Sequence, residues 1–438
     1  MKNALLFLLL LFMTHLHSQE FDRVKMDQFL DALAKNDRAM GSLSIYQDGK
    51  RVYEKSIGYL DVDQKKPANS QSKYRIGSIS KTFTAIVMMQ MIDEQRLALD
   101  MPLNKFFPGV PNADKITIEQ LLQHRSGLFN FTDKEDYPTW MEQAQTQTML
   151  LKRIVENGTD FEPGAATAYS NTNFLLLSWI AEKVDQKDFA QIIDERIVQK
   201  CGLKNTFVGG KIDTSDNQAH SYFKTANWIK SPETDMSIPL GAGAIVSTPS
   251  DLNEMLIHLF GGQLVSKTAL EKMSTMIEGL GMGLFEVPFY ERKAIGHNGR
   301  IDGFESTAIH FKADNTTLSY LSNGLAYPFN DILIGILSIY FGKDYTIPAF
   351  NSTLKVNSED LDRYVGTYAS KGLPLKITIS KKEGQLIAQA SGQSAFPLEA
   401  FEPHKFRFDA AGIILKFEPA EQQMTLFQGG GTFIFKME

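Results

Sequence analysis

A serine hydroxyl attacks a carbonyl carbon only when a base takes its proton. The first pattern to seek is therefore a serine with a basic side chain at a fixed offset. Ser-x-x-Lys occurs four times, at Ser70, Ser78, Ser221 and Ser352. On a helix a lysine three positions later shares the serine's face. Only Ser78 follows a glycine, Gly77, and opens a long apolar segment, Ile79 to Gln95. A helix start there would supply free N–H groups and a partial positive charge to a developing oxyanion. Ser70 lies in a polar loop, Ser221 in a mixed polar stretch and Ser352 in a linker. The competing role for Ser78 is that of a plain helix cap.

Two further patterns carry chemistry. Tyr169-Ser170-Asn171 is the only Tyr-x-Asn among 14 tyrosines. A phenol with a pKa near 10 needs help to act as a base, and an ammonium such as Lys81 would lower that pKa. Asn171 could hold Lys81 or a substrate amide. The competing reading is a loop tyrosine before a helix cap. His297-Asn298-Gly299 is the only His-x-Gly among 8 histidines, and it sits in a glycine-rich run from Gly296 to Phe304. Glycines let an edge strand pass close to a substrate, whose backbone can then pair as an added strand. The competing reading is a hairpin with a solvent-facing histidine.

Taken in order, Ser78-Ile-Ser-Lys81, Tyr169-Ser-Asn171 and His297-Asn-Gly299 resemble the three signatures of the β-lactamase and penicillin-binding-protein superfamily, and most closely its class C β-lactamase-related branch. Supporting stretches are Tyr74-Arg-Ile-Gly-Ser78, Leu121 to Leu128, Pro163-Gly164 and Thr248-Pro-Ser-Asp251. The resemblance spans Val24 to Gly342 and implies an acyl-enzyme mechanism. Ser78 is the implied nucleophile, and Lys81 and Tyr169 share the proton work, with either a neutral Lys81 or a phenolate Tyr169 as base. Asn171, His297, Asn298, Gly299 and Arg300 are the implied substrate-binding residues, and the N–H groups of Ser78 and Arg300 form the oxyanion hole. Neither cofactor nor metal is implied. Penicillin-recognising members carry Lys-Thr-Gly or Lys-Ser-Gly at the third signature. His297 in place of that lysine removes a fixed cation, so the expected substrates are D-residue peptides, amides or small esters. The alternatives are β-lactamase or D-alanyl carboxypeptidase activity, or a non-catalytic sensor of cell-wall peptides that uses the same pocket.

The elements that must position these residues follow from periodicity. Helices are expected at Val24–Ala34, Ile79–Gln95, Ile118–His124, Thr172–Val184 and Phe189–Cys201, and after the cap Thr248 with Pro249 at its first turn. A hairpin is expected at Ser42–Tyr46 and Arg51–Tyr53 around Asp48-Gly49, with further strands at Ser306–Phe311 and Leu318–Ser322. The mixture argues an α+β fold, and the resemblance specifies a β-lactamase-like one: an antiparallel sheet flanked by helices, plus an all-helical subdomain. From Tyr364 onward eight short strands with turns predict a small β-barrel, which resembles the lipocalin-like domain appended to this branch. The expected division is 1–18 signal peptide, 24–345 hydrolase domain, 346–358 linker and 359–438 barrel, the barrel being also a candidate surface for homo-oligomers.

Lys2 followed by the ten-residue apolar run Ala4–Met13, with Ser18 before the cleavage point, reads as an export signal too short to span a bilayer. A periplasmic or extracellular location follows. Ile332–Phe341 is likewise too short and reads as a core helix. The net charge of −6 without a Lys/Arg run argues against a nucleic-acid partner. The one cysteine, Cys201, excludes an intrachain disulfide and, before Gly202, reads as a buried helix-end residue.

Overall fold

The structure is a computed structural model that describes residues 21–438 except 226, 351–353, 355, 371, 409, 410, 429 and 430. The export signal, Ser352 and part of the expected linker lie outside the described residues. The chain opens with helix α1 (Arg23–Lys35), whose Met26, Phe29, Leu30 and Leu33 are buried. Strands β1 (Ala39–Gln47) and β2 (Lys50–Ile57) form the expected hairpin, with Asp48 and Gly49 both at positive φ. Three buried or partly buried helices follow: α2 (Ser80–Asp93), α3 (Asn171–Asp185) and α4 (Pro249–Phe260). Strands β3 (Phe285–Phe289), β4 (Arg292–Ile301), β5 (Phe304–Phe311) and β6 (Thr316–Leu325) then precede helix α5 (Phe329–Tyr340).

The main sheet runs β3-β4-β5-β6-β1-β2, all antiparallel. A small hairpin, Tyr222–Lys224 with Trp228–Lys230, pairs parallel to the end of β6. One face of the sheet buries α1 and α5 through Phe29, Leu33, Ile332 and Ile336. The larger core on the other side surrounds α2, whose residues from Ser80 to Met91 are all buried. A helix apolar on every side is stable only inside a core, and this one fixes the end at which Ser78 sits. The sheet with helices on both faces and helices beyond it is the α+β arrangement expected.

The tail forms a closed barrel of eight strands, β7 (Gly366–Ala369), β8 (Lys376–Lys382), β9 (Gln385–Ala390), β10 (Phe396–Glu402), β11 (Lys405–Phe408), β12 (Ile413–Glu418), β13 (Gln423–Gln428) and β14 (Gly431–Met437). Closure leaves no free sheet edge. Its interior is packed by Tyr368, Ile379, Leu415, Met424 and Phe435, among others. One expectation needs correction. Tyr364 lies in a 3₁₀ helix, Ser358–Tyr364, rather than in the first barrel strand, because its ring packs on Phe406 and Phe417 from outside the ladder. The helix expected over Phe189–Cys201 runs its full length to Gly202 and includes a π-helical turn, Asp194–Val198, a local widening that hydrophobic periodicity does not reveal. Cys201 is buried before Gly202 at φ 64°, and burial pushes its thiol up to about 12, which makes it a poor nucleophile.

Burial also makes the fold acid-sensitive. His310, stacked on Phe260 with ring centroids 4.7 Å apart, is pulled down to about 4 by desolvation, with a smaller contribution from Lys312. His297 falls to about 3, and His124 is also well below the ordinary range, burial being the leading cause for each. The unfolded chain takes up these protons near pH 6.5 and the native chain does not, so stability present above pH 6.5 is lost as pH falls toward 4. Thermal melts from pH 7.5 to 4 should show a steadily falling Tm, less steep in His310→Gln. A pH-independent Tm would contradict the assignment of neutral buried rings.

Candidate active site

Ser78 occupies a 3₁₀ turn, Gly77–Ile79, directly ahead of α2. Gly77 has φ +51°, a left-handed value that a side chain disfavours. A Cβ at this position would lie 2.7 Å from the Arg300 backbone nitrogen, and one at Gly299 would lie 1.9 Å from the Ile76 oxygen. The serine turn and β4 thus touch backbone to backbone. Two glycines, one from each side, permit that contact. It brings the backbone of the serine turn and that of Arg300 close together. Ser306 Oγ donates to Ile76 O at 2.9 Å and ties β5 to the same turn.

Lys81 is fully buried, and its Nζ has three neighbours: Ser78 Oγ at 3.0 Å, Asn171 Oδ1 at 2.7 Å and the Ala242 carbonyl oxygen at 2.8 Å. Desolvation holds this amine well below the usual lysine range, and no carboxylate opposes the effect. Asn171 opens α3. Its own N–H donates to Asn130 Oδ1 at 2.9 Å and its Nδ2 to Thr132 Oγ1 at 2.9 Å, so its Oδ1 is turned toward the amine. The Lys81 Nζ also lies 4.7 Å from the centre of the Tyr169 ring. Burial raises the Tyr169 phenol above its ordinary pKa, and the nearby Ser78 hydroxyl pulls weakly in the other direction. Both groups are therefore pushed toward their neutral forms.

His297 is 1% exposed, so it is not the solvent-facing ring of a plain hairpin. Its Nδ1 lies 2.5 Å from the Asn298 carbonyl oxygen, which can only accept, so the proton sits on Nδ1. Its Nε2 is a buried acceptor without a hydrogen-bond partner among the described residues. Burial is the leading cause of a pKa pulled down to about 3, against a weaker opposing bond to Asn298. Asn298 is exposed and accepts from Thr307 Oγ1 at 2.8 Å. The Arg300 side chain is 80% exposed, with Nε 3.6 Å from Glu305, and lines a cleft of about 320 Å³ with Ser78, Asn171, Tyr137 and Gly243. The structure therefore gathers Ser78, Lys81, Tyr169 and Asn171 around one point, with His297 and Gly299 on the adjoining strand. Asn298 is instead bonded to Thr307 on β5, and the Arg300 side chain lies at the exposed rim of the cleft beside Glu305. Of the other Ser-x-x-Lys pairs, the two among the described residues have different partners: Lys73 bonds Asp216, and Ser221 accepts from Gly303 N.

Residues 26–335 match the family model for β-lactamases. The chain belongs to the β-lactamase family. It is a serine hydrolase. Penicillin-binding protein 4* of Bacillus subtilis (strain 168) is 25% identical over 448 residues, covering 93% of this chain and 97% of that one. The structure of a D-stereospecific amidohydrolase from a Streptomyces species is similar, with 26% identity and a TM-score of 0.64, over 74% of this chain and 100% of the other. An octameric penicillin-binding protein homologue from Pyrococcus abyssi shares the fold over 94% of this chain and 99% of its own, with 23% identity and a TM-score of 0.67.

Several contributors in this β-lactamase-family chain left no mark in the sequence patterns. The Ala242 carbonyl is one, because any residue carries one. Arg75 is another: its buried guanidinium donates to Asp302 Oδ2 and Glu233 Oε1, both at 2.9 Å, and to two backbone carbonyls. Asp302 also accepts from the N–H and hydroxyl of Thr234. This clamp joins the segment three residues before Ser78 to the turn two residues after Arg300. Gly77→Ala should keep the fold and lower acylation by about 10²- to 10³-fold, the scale of losing one oxyanion donor. Stopped-flow ester hydrolysis with circular dichroism as control measures it, and native rates would contradict the close approach.

Proposed function

We propose that this chain hydrolyses amide and ester bonds of small acyl donors, D-amino-acid amides and peptides foremost, through an acyl-enzyme on Ser78. One observation carries the reading: the buried Lys81 amine is held between two oxygens that can only accept, leaving its third tetrahedral direction on Ser78 Oγ. Two N–H bonds satisfy Asn171 and Ala242. In a neutral amine the remaining position is the lone pair, which is what a general base needs. Depression of the Lys81 pKa and elevation of that of Tyr169 support Lys81 as base and a protonated Tyr169 as acid.

In the proposed sequence Ser78 Oγ bonds to the carbonyl carbon as its proton passes to Lys81 Nζ. The oxyanion rests on the N–H groups of Ser78 and Arg300. The phenol of Tyr169 protonates the leaving nitrogen or oxygen and recovers its proton from the Lys81 ammonium. Water then attacks the ester, its proton moving to Lys81 and on to Ser78 Oγ. A neutral His297 offers no cation to a substrate carboxylate, and Arg300 is engaged with Glu305 at the cleft rim. Both favour neutral-ended amides and esters over carboxylate-ended peptides and β-lactams. The name of the Streptomyces relative supports the D-configuration. We place hydrolysis in residues 24–345 and treat 359–438, reached through 346–358, as an accessory barrel. Lys2, the run Ala4–Met13 and Ser18 support export.

Wild-type protein should take one fluorophosphonate adduct on Ser78 by intact-mass spectrometry, and Ser78→Ala should take none and lose at least about 10⁴-fold in turnover. Across D-amino-acid amides, acyl esters, carboxylate-ended D-peptides and a chromogenic cephalosporin, the first two classes should turn over best. An unlabelled Ser78, or full activity in Ser78→Ala, would overturn the nucleophile assignment. Preference for the carboxylate-ended substrates would overturn the substrate class alone. The rate should also rise with pH through a single lysine pKa below 10.5, because only the neutral amine accepts the serine proton. His297, neutral above about pH 3, should leave no step in the profile. A flat profile from pH 5 to 10 would contradict it.

A further inference from the structure

We propose that His124 is the positioning residue for Tyr169, holding the phenol where it meets Ser78; this rests on the reading of Tyr169 as the proton carrier. Tyr169 lies in an irregular segment, with no helix or strand to fix its backbone. What replaces such an element is a ladder between residues 124–129 and 158–168. Phe129 N–H donates to Gly158 O, Asp160 N–H to Gly127 O, Gly164 N–H to Arg125 O and Ala168 N–H to His124 O. His124 is the last rung, and it contacts three consecutive residues. Its carbonyl accepts from Ala168 at 2.9 Å, its ring stacks on Tyr169 with centroids 4.4 Å apart and planes 28° from parallel, and its Nδ1 accepts from Ser170 N–H at 3.1 Å. The same ring packs on Phe174 of α3.

The chemistry of histidine fits these contacts together. An aromatic ring with an acceptor at its edge can stack on the phenol and cap the next amide at once. The acceptor role requires Nδ1 to be unprotonated. Asn173 Nδ2, 3.4 Å away, points at the same nitrogen, and Asn173 is itself set by a bond from Ser126 Oγ at 2.6 Å. Burial keeps the ring neutral and the acceptor in place. The backbone of His124 is left-handed, at φ +57°, which lets one residue aim both its carbonyl and its ring at the 168–170 segment. Side chains other than glycine adopt that region at a cost, asparagine among the most readily. A histidine held there between a short helix, Ile118–Leu122, and Gly127 is thus turned onto the tyrosine. With the stack removed, Tyr169 keeps its neighbours in sequence but loses the surface that fixes its ring.

A double-mutant cycle tests this. His124→Asn keeps an acceptor and tolerates the left-handed backbone but removes the ring. Its kcat for an acyl ester should fall by about 10²-fold, the scale of a reacting group displaced by about 1 Å, with KM unchanged. In a Tyr169→Phe background the same change should cost nothing further, because the group that His124 positions is already gone. Equal losses in both backgrounds, or a rise in KM alone, would overturn the inference while leaving the role of Tyr169 intact. Full activity in Tyr169→Phe alone would overturn both. Should His124→Asn not accumulate as folded protein, His124→Gln is measured in its place and judged by the same comparison.

Discussion

The arrangement rests on one amine buried out of water. Removing Lys81 from solvent without a carboxylate partner disfavours its charged form, and two oxygens then fix the direction in which the amine faces Ser78. Each oxygen has its own support. Asn171 is held by Asn130 and Thr132, and Ala242 follows a turn pinned where Thr84 Oγ1 donates to Gly241 O at 2.7 Å. That turn includes Leu240 at φ +34°, a strained value of the kind found where a surrounding structure over-determines the backbone. A charge removed by burial and an orientation supplied by acceptors are separate contributions, and the proposed base needs both.

The rest of the fold serves to bring three distant chain segments to this amine. The all-round apolar α2 anchors the serine turn in the larger core, and Gly77 and Gly299 let β4 approach it without intervening side chains. Arg75 and Asp302 then lock the two segments together through a buried pair. Such a pair adds little net stability once desolvation is counted. Its geometric effect is to keep the serine and Arg300 amides in fixed relation. The barrel packs against this domain where Gly412 meets Asp331 and Pro328 at the start of α5.

Much of this was legible in the residues themselves. Ser78, Lys81, Tyr169 and Asn171 converge as their types and spacing suggested, because a helix start and a helix cap are local events with local signals. The aspartate and glycine at positive φ in the first hairpin, and the eight alternating strands of the tail, were readable for the same reason. What escaped was carried by backbone or by distance. The Ala242 carbonyl has no residue signature. The Arg75–Asp302 contact spans 227 positions. The π-turn at Asp194–Val198 inserts one residue into a helical pattern without disturbing its apolar spacing. His124 caps one amide and packs on one ring, and only the fold reveals that these belong to Ser170 and Tyr169.

The central claim is that Lys81 is a neutral amine in the folded enzyme. Lysine labelled with ¹³C at Cε, followed by NMR from pH 6 to 11 and assigned by the loss of one signal in Lys81→Met, reads that charge directly. The account predicts one lysine resonance that titrates well below 10.5 and vanishes in the variant. A Lys81 resonance that titrates with the exposed lysines, near 10.5, would contradict it.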